Sequence, residues 1–361
     1  MLFNLLIIWA INIGFARAAA STQFRNWYPQ YGSIFRNITL KNCSAEYLRY
    51  LAGDKNLTQV DYQNGGDEYT VFTQPLIDCI LNHTSEFLKG GMTSAQVLLG
   101  VMPTVLALLG PSHDEIAMLA NVGRRPLLAA GLALACPSTY FSRAFEYSDP
   151  QDIMSRHENR RGQWRPKHRG VQLVVSFIEY GLTAAACFNV VKNTREVNVR
   201  SISSLASDAD YLPGLWLGLG MATHLYSGLN IFPRIRGIIL MEFFPCAAAQ
   251  YEVQIATSTE SKIFLFTAWW ESTFTVLQVV FGTLVFSSTL FVGTKDALGI
   301  VGRYIGGVAV CRVILMYELA GLRENCTIID GKGVKKDEIV MQTGTFIQKG
   351  RLGPGDRTQH C

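Results

Sequence analysis

The sequence is poor in the residues on which most soluble enzymes depend. Only 17% of its 361 residues are Asp, Glu, Lys or Arg, and only six are histidine. Those histidines never stand at H-x-x-x-H spacing and the eight cysteines form no C-x-x-C pair, which removes the usual local signatures of a metal site. No G-x-S-x-G, P-loop or G-x-G-x-x-G stretch is present, so neither a nucleophile elbow nor a phosphate cradle is encoded locally. The net charge is only +4, and the basic residues flank apolar runs without interleaved aromatics, which argues against a nucleic-acid partner. From these patterns no catalytic residue, cofactor or metal is expected, and the chain does not read as an enzyme.

What the chain does have is long uncharged runs. Residues 92–110 carry no charge, and at 1.5 Å per residue they span roughly 28 Å, the thickness of a bilayer's hydrocarbon core. Apolar runs with few ionisable residues occupy 171–191, 211–232, 263–293 and 298–320, and two shorter ones lie at 126–141 and 237–250. The fold class expected is an all-α membrane protein: a bundle of about five transmembrane helices, six or seven if the two short runs also cross. Its membrane domain covers 92–320, and a polar C-terminal tail, a small hairpin or disordered, covers 321–361.

The amino-terminal stretch MLFNLLIIWAINIGFARAAAS pairs an apolar core with small residues at signal-peptidase spacing, so residues 1–20 read as a signal peptide. Behind it, residues 21–91 carry four N-x-S/T sequons, at Asn37, Asn42, Asn56 and Asn82, which mark a glycosylated lumenal or extracellular segment. The segment has two cysteines, Cys43 and Cys79, and an oxidising compartment makes a disulfide between them the expectation. Helical periodicity on both sides of Asn64-Gly65-Gly66 gives a small disulfide-linked helical ectodomain.

Charge decides the number of crossings. If 126–141 dips in and returns, nineteen Lys or Arg lie on the cytosolic side, most of them in the basic loop 142–170 and the tail, against four outside. If it crosses fully, the distribution reverses to six and seventeen, against the positive-inside preference. Five crossings follow, with the ectodomain out and the tail in, and this order leaves the sequon at Asn325 unglycosylated. Ser112, three residues before Glu115 and just after Gly110-Pro111, forms a capping box that starts a helix over 114–122. That helix is amphipathic and is expected to lie along the membrane surface.

Ionisable residues inside apolar runs are costly and therefore informative. Glu179, His224, Glu271 and Arg312 each stand eight residues from the cytosolic end of their run. They are expected to share one buried polar layer, in which Glu179 or Glu271 neutralises Arg312 and His224 lies beside them. Cys136, Cys187, Cys246 and Cys311 read as small apolar residues within runs.

Several pieces carry a family resemblance: QPLIDCILNHTSEFLKGGMTSAQVLLGVMPTVLALLGPS, RRPLLAAGLALACPS, RAFEY, WWESTFTVLQVVFGTLVFSSTLF, KDALG and RVILMYELAG. Through them the chain resembles an uncharacterised family of fungal multi-pass integral membrane proteins, over about three quarters of its length. Family members carry ALGSP-like residues where this chain has Leu134-Ala135-Cys136-Pro137. The resemblance implies a multi-pass membrane fold and carries over no catalytic residue. The functional expectation is an interaction or sensor-like protein of the plasma membrane or another secretory-pathway membrane. Its partners would be the lipid bilayer and a protein at the ectodomain or the basic loop. A small transporter or channel using the polar layer is the alternative, and an intramembrane enzyme the second.

Overall fold

A computed structural model describes residues 23–53, 70–138, 166, 168–231, 253–256, 262–324 and 326–329. The expected signal peptide over 1–20, Asn56, nearly all of loop 142–170, the run 237–250, Cys246, Asn325 and the tail past 329 lie outside the described residues. Among the described residues are ten helices and four short strands. Three short helices come first: α1 (Gly32–Lys41), α2 (Ser44–Ala52) and α3 (Gln74–Asn82). The rest of the fold is built from α4 (Glu86–Leu109), the short α5 (His113–Asn121) and α6 (Pro126–Ala135), and then α7 (Arg169–Arg200), α8 (Leu212–Ile231), α9 (Lys262–Ser287) and α10 (Thr294–Glu324). The helices at Glu86–Leu109, Gly170–Arg200 and Thr294–Arg323 are long and apolar enough to cross a membrane.

The long helices are inside-out relative to a soluble bundle. On α7, Phe177 is 80% exposed and Phe188 69%, while Glu179 between them is 5% exposed. Gln172, Ser176, Glu179 and Thr183 fall at three- and four-residue intervals and are all buried, whereas Leu173, Ile178 and Leu182 face outward. Helix α9 repeats the pattern, with Glu271, Thr275 and Gln278 inside and Phe266, Trp269, Trp270, Leu277 and Val280 outside. Lipid satisfies such apolar outer faces; water does not.

Contacts at the helix ends give their directions. Residues 24–53 and 70–92 close over one end of the bundle. The Gln30 amide donates to Asp296 Oδ2 (3.0 Å), the Lys295 amide donates to Gln30 Oε1 (2.8 Å), and Thr294 Oγ1 donates to the Gly91 carbonyl (3.1 Å). Trp27 and Phe35 pack edge-on against Phe291, and the Thr73 hydroxyl meets Ser207 and Asp208. Strand β1 (Ile202–Ser203), which follows α7, pairs antiparallel with β3 (Thr289–Leu290), which follows α9. Helices α4, α8 and α10 therefore start at the capped end, and α7 and α9 finish there. At the opposite end β2 (Val253–Ala256), before α9, pairs in parallel with β4 (Cys326–Ile329), after α10. Residues 326–329 thus join a strand from elsewhere in the chain and not a hairpin within the tail.

A disulfide joins Cys43 to Cys79 in the cap, whose core is Phe24, Phe35, Tyr50, Leu76 and Ile80. Asn37, Asn42 and Asn82 are exposed on it.

The segment after α4 departs from expectation. Helix α5 does not lie on a surface: Ile116, Ala117, Met118 and Leu119 are all buried, packed with α8, α6 and α10. Its burial uses the apolar residues expected to face lipid, because α6 returns alongside it. Leu128, Ala129, Leu132, Ala133 and Ala135 join the same core. The α5–α6 turn at Gly123 sits against Leu322 near the end of α10, so the pair forms a hairpin inside the far half of the bundle.

Candidate functional site: two charge clusters at a helix break

The site begins with a break in the backbone. Helix α4 stops at Gly110-Pro111, and proline's missing N–H prevents direct continuation. Ser112 then caps α5: its Oγ accepts from the Glu115 amide (3.2 Å), and its own amide donates to Glu115 Oε2 (3.1 Å). The first turn of α5 thus opens in the bundle interior, with His113, Asp114 and Glu115 at its positively polarised end. Helix α6 ends at the same level. A Cβ on Gly110 would lie 2.7 Å from the Ser138 carbonyl oxygen, and one on Gly220 of α8 would collide with the Pro137 carbonyl. Past α6 the chain is extended, and its free carbonyls are met by side chains: Gln278 Nε2 donates to Pro137 O (2.8 Å) and His224 Nε2 to Cys136 O (3.3 Å).

Charged groups gather at two levels around this break. At the first, Arg312 donates to Glu115 Oε2 at 2.5 Å, so one carboxylate serves both the capping box and an ion pair. Beside it, His113 Nε2 lies 3.2 Å from Glu271 Oε1 and 3.7 Å from Asp114 Oδ1. Glu271 stands about 24 Å along α9 from its capped end, and Arg312 about 27 Å along α10. At the second level, roughly 9 Å farther along α10, Arg125 bridges Glu179 (2.7 Å) and Glu318 (2.6 Å). Its NH2 donates to Ser176 Oγ (2.6 Å), and its guanidinium covers the Tyr180 ring at 5.3 Å.

The four residues singled out from sequence therefore divide between two clusters. Arg312 meets Glu115 and neither Glu179 nor Glu271; Glu179 meets Arg125; Glu271 meets His113. The partners were hidden because all three come from the hairpin segment 113–125, where Glu115 reads as a cap and Arg125 as a flanking charge. From sequence Asp114, like Glu115, reads as a favourable charge at the start of the helix, and His113 and Glu318 are passed over. The signal for His113 and Asp114 is the run His113-Asp114-Glu115 directly after a Gly-Pro break between apolar stretches, and Glu318, inside the run 298–320, meets the same rule that picks out Arg312.

Several buried polar atoms around the break have no hydrogen-bond partner among the described residues: His113 Nδ1, His224 Nδ1, Ser138 Oγ, Ser227 Oγ and Gln278 Oε1. His224 and Ser227 occupy one face of α8, the element packed on α5. Acids, imidazoles and bare lone pairs brought together at helix ends can exchange protons or hold a cation. The thiols do lesser work, Cys187 and Cys311 each donating to an α6 carbonyl, at Gly131 (3.1 Å) and Leu132 (3.6 Å).

No protein-family model, curated protein or solved structure matches this chain.

Proposed function

We propose that the protein is a five-crossing membrane protein whose interior passes protons or cations between the two sides of a secretory-pathway or plasma membrane. Helices α4, α7, α8, α9 and α10 are the crossings and the α5–α6 hairpin is a re-entrant element, with the cap formed by residues 23–53 and 70–91 on the lumenal or extracellular side bearing glycans. One observation carries this reading: α4 breaks, and α6 ends, beside ionisable side chains in the middle of the bundle. Irregular backbone at such depth is tolerated only where protein or a polar cavity surrounds it, and in transporters such breaks mark the path of the transported ion. A purely structural bundle needs a salt bridge to set register, but it has no use for an open helix end.

The hydrogen bonds tying Gln30 to the start of α10 favour a second reading, in which the cap senses an external partner and transmits the event to the bundle. Flux separates the two. The purified chain in liposomes carrying an internal pH dye, under an imposed membrane potential, is expected to move protons well above empty liposomes. Glu271→Gln is expected to cut the rate at least about tenfold, and substitution of the exposed Lys192 to leave it unchanged. Flux equal to that of empty liposomes, for protons and for divalent cations alike, would leave the sensor reading in its place.

A further inference from the structure

We infer that His113, Asp114 and Glu271 form a binding site for a divalent transition-metal ion of the zinc class. The proposal deepens the transport reading by naming a cargo or resident ion, and it rests on that reading only for the ion's purpose.

The first support is geometric. The donor atoms of these three side chains all lie within 4.8 Å of one another. A tetrahedral ion with ligands at 2.0–2.1 Å sets those ligands about 3.3 Å apart. The separations of 3.2 Å and 3.7 Å from His113 Nε2 to Glu271 and Asp114 bracket that spacing, so an ion fits with small side-chain adjustments. The chemistry of the set narrows the ion. One imidazole and two carboxylates suit Zn²⁺, Mn²⁺, Fe²⁺ or Co²⁺; Mg²⁺ and Ca²⁺ favour all-oxygen shells, and the lack of a thiolate excludes the softest ions.

The second support is independent of the first. His224 is 2% exposed and belongs to α8, the helix packed against α5. Its Nε2 faces the Cys136 carbonyl, which can only accept, so the proton sits on Nε2 and Nδ1 carries a lone pair. That Nδ1 is buried without a partner among the described residues. An imidazole whose N–H is fixed by a backbone carbonyl, leaving the other nitrogen bare, is the arrangement metal-binding proteins use to orient a ligand. Three donors place the ion, and a buried imidazole with a bare nitrogen stands on the helix packed against two of them.

Other candidates are weaker. The cluster of Cys43, Cys79 and His83 spends both sulfurs in the disulfide. The Arg125 cluster has its guanidinium already in place between the two acids.

The test uses the full chain in detergent with Co²⁺ as the probe, reading stoichiometry by elemental analysis and geometry by visible absorption. One ion per chain with intense tetrahedral-type bands is expected. Asp114→Asn and Glu271→Gln should each weaken binding at least about tenfold, while His83→Ala should not, and His113→Gln should abolish the bands. Each variant is first checked for a single symmetrical gel-filtration peak, and the wild type alone is decisive should any fail. Folded wild-type protein that takes up no Co²⁺, or variants that bind as the wild type does, would overturn the site. Proton flux without metal binding would sink this inference and spare the transport reading; metal binding without flux would do the reverse.

Discussion

At the residue scale, the account turns on charges enclosed by apolar helices. Arg125 is 4% exposed and stands against two carboxylates from helices far apart in sequence. Removing it leaves buried acids without their cation, a change that costs about 3–5 kcal/mol. Arg125→Ala is therefore expected to lower the detergent melting temperature sharply. Arg125→Lys should recover only part of the loss, because an ammonium cannot reach Glu179, Glu318 and Ser176 with a planar fork. Equal melting temperatures for Arg125→Ala and the wild type would show that the cluster contributes little to the fold. Glu115 illustrates how a residue's role escapes a local reading. Its capping box is visible within four residues, yet its partner Arg312 lies 197 residues away. Hydrogen bonds along a helix turn follow from spacing, whereas pairings across a bundle follow from how helices pack.

At the scale of elements, the α5–α6 hairpin is the unusual part. Glycine matters here at one position above others. Gly220 lets the Pro137 carbonyl approach α8, and any Cβ there would collide with backbone, which cannot swing aside. Gly218, two residues earlier on the same helix, has open space around its Cβ position. Gly220→Val should therefore destroy folded yield, and Gly218→Val should spare it; a well-folded Gly220→Val protein would mean that α6 does not end where it is described. Much of this level was legible in sequence. Apolar runs of bilayer length located all five long helices, and Gly110-Pro111-Ser112 located the break. The excess of basic residues in 142–170 leads to the expectation that 126–141 returns to the side it left; in the structure α4 runs away from the cap and α7 runs back toward it. What periodicity could not show was that α5 is wholly buried. A nine-residue helix with a few polar residues in its first turn looks amphipathic whether its apolar face meets lipid or protein.

At the scale of the whole molecule, the outer surface and the interior exchange their usual characters. Phe177, Phe188, Trp269 and Trp270 face out, and Glu179, His224, Glu271 and Gln278 face in. The single polar layer expected from matching depths is instead two clusters, because α7 and α10, at roughly 48 and 46 Å, are longer than a hydrocarbon core. Position counted from the edge of an apolar run therefore misjudges depth. The cap is bound to the bundle on the side where α4 and α10 begin, so the cap and the inner site share two helices. That continuity makes the molecule one unit, and it leaves one question that decides between a conduit and a rigid support: whether water reaches the break.

Cysteine accessibility answers it. With the free thiols replaced, Ser227→Cys and Ser138→Cys place single probes beside His224 and at the end of α6, in full-length protein reconstituted into liposomes. A membrane-impermeant thiosulfonate reagent is expected to modify both, and added Zn²⁺ to slow the reaction. Complete inertness of both positions from either side, in protein shown to be folded, would contradict a polar path through the bundle and leave the two charge clusters as internal struts.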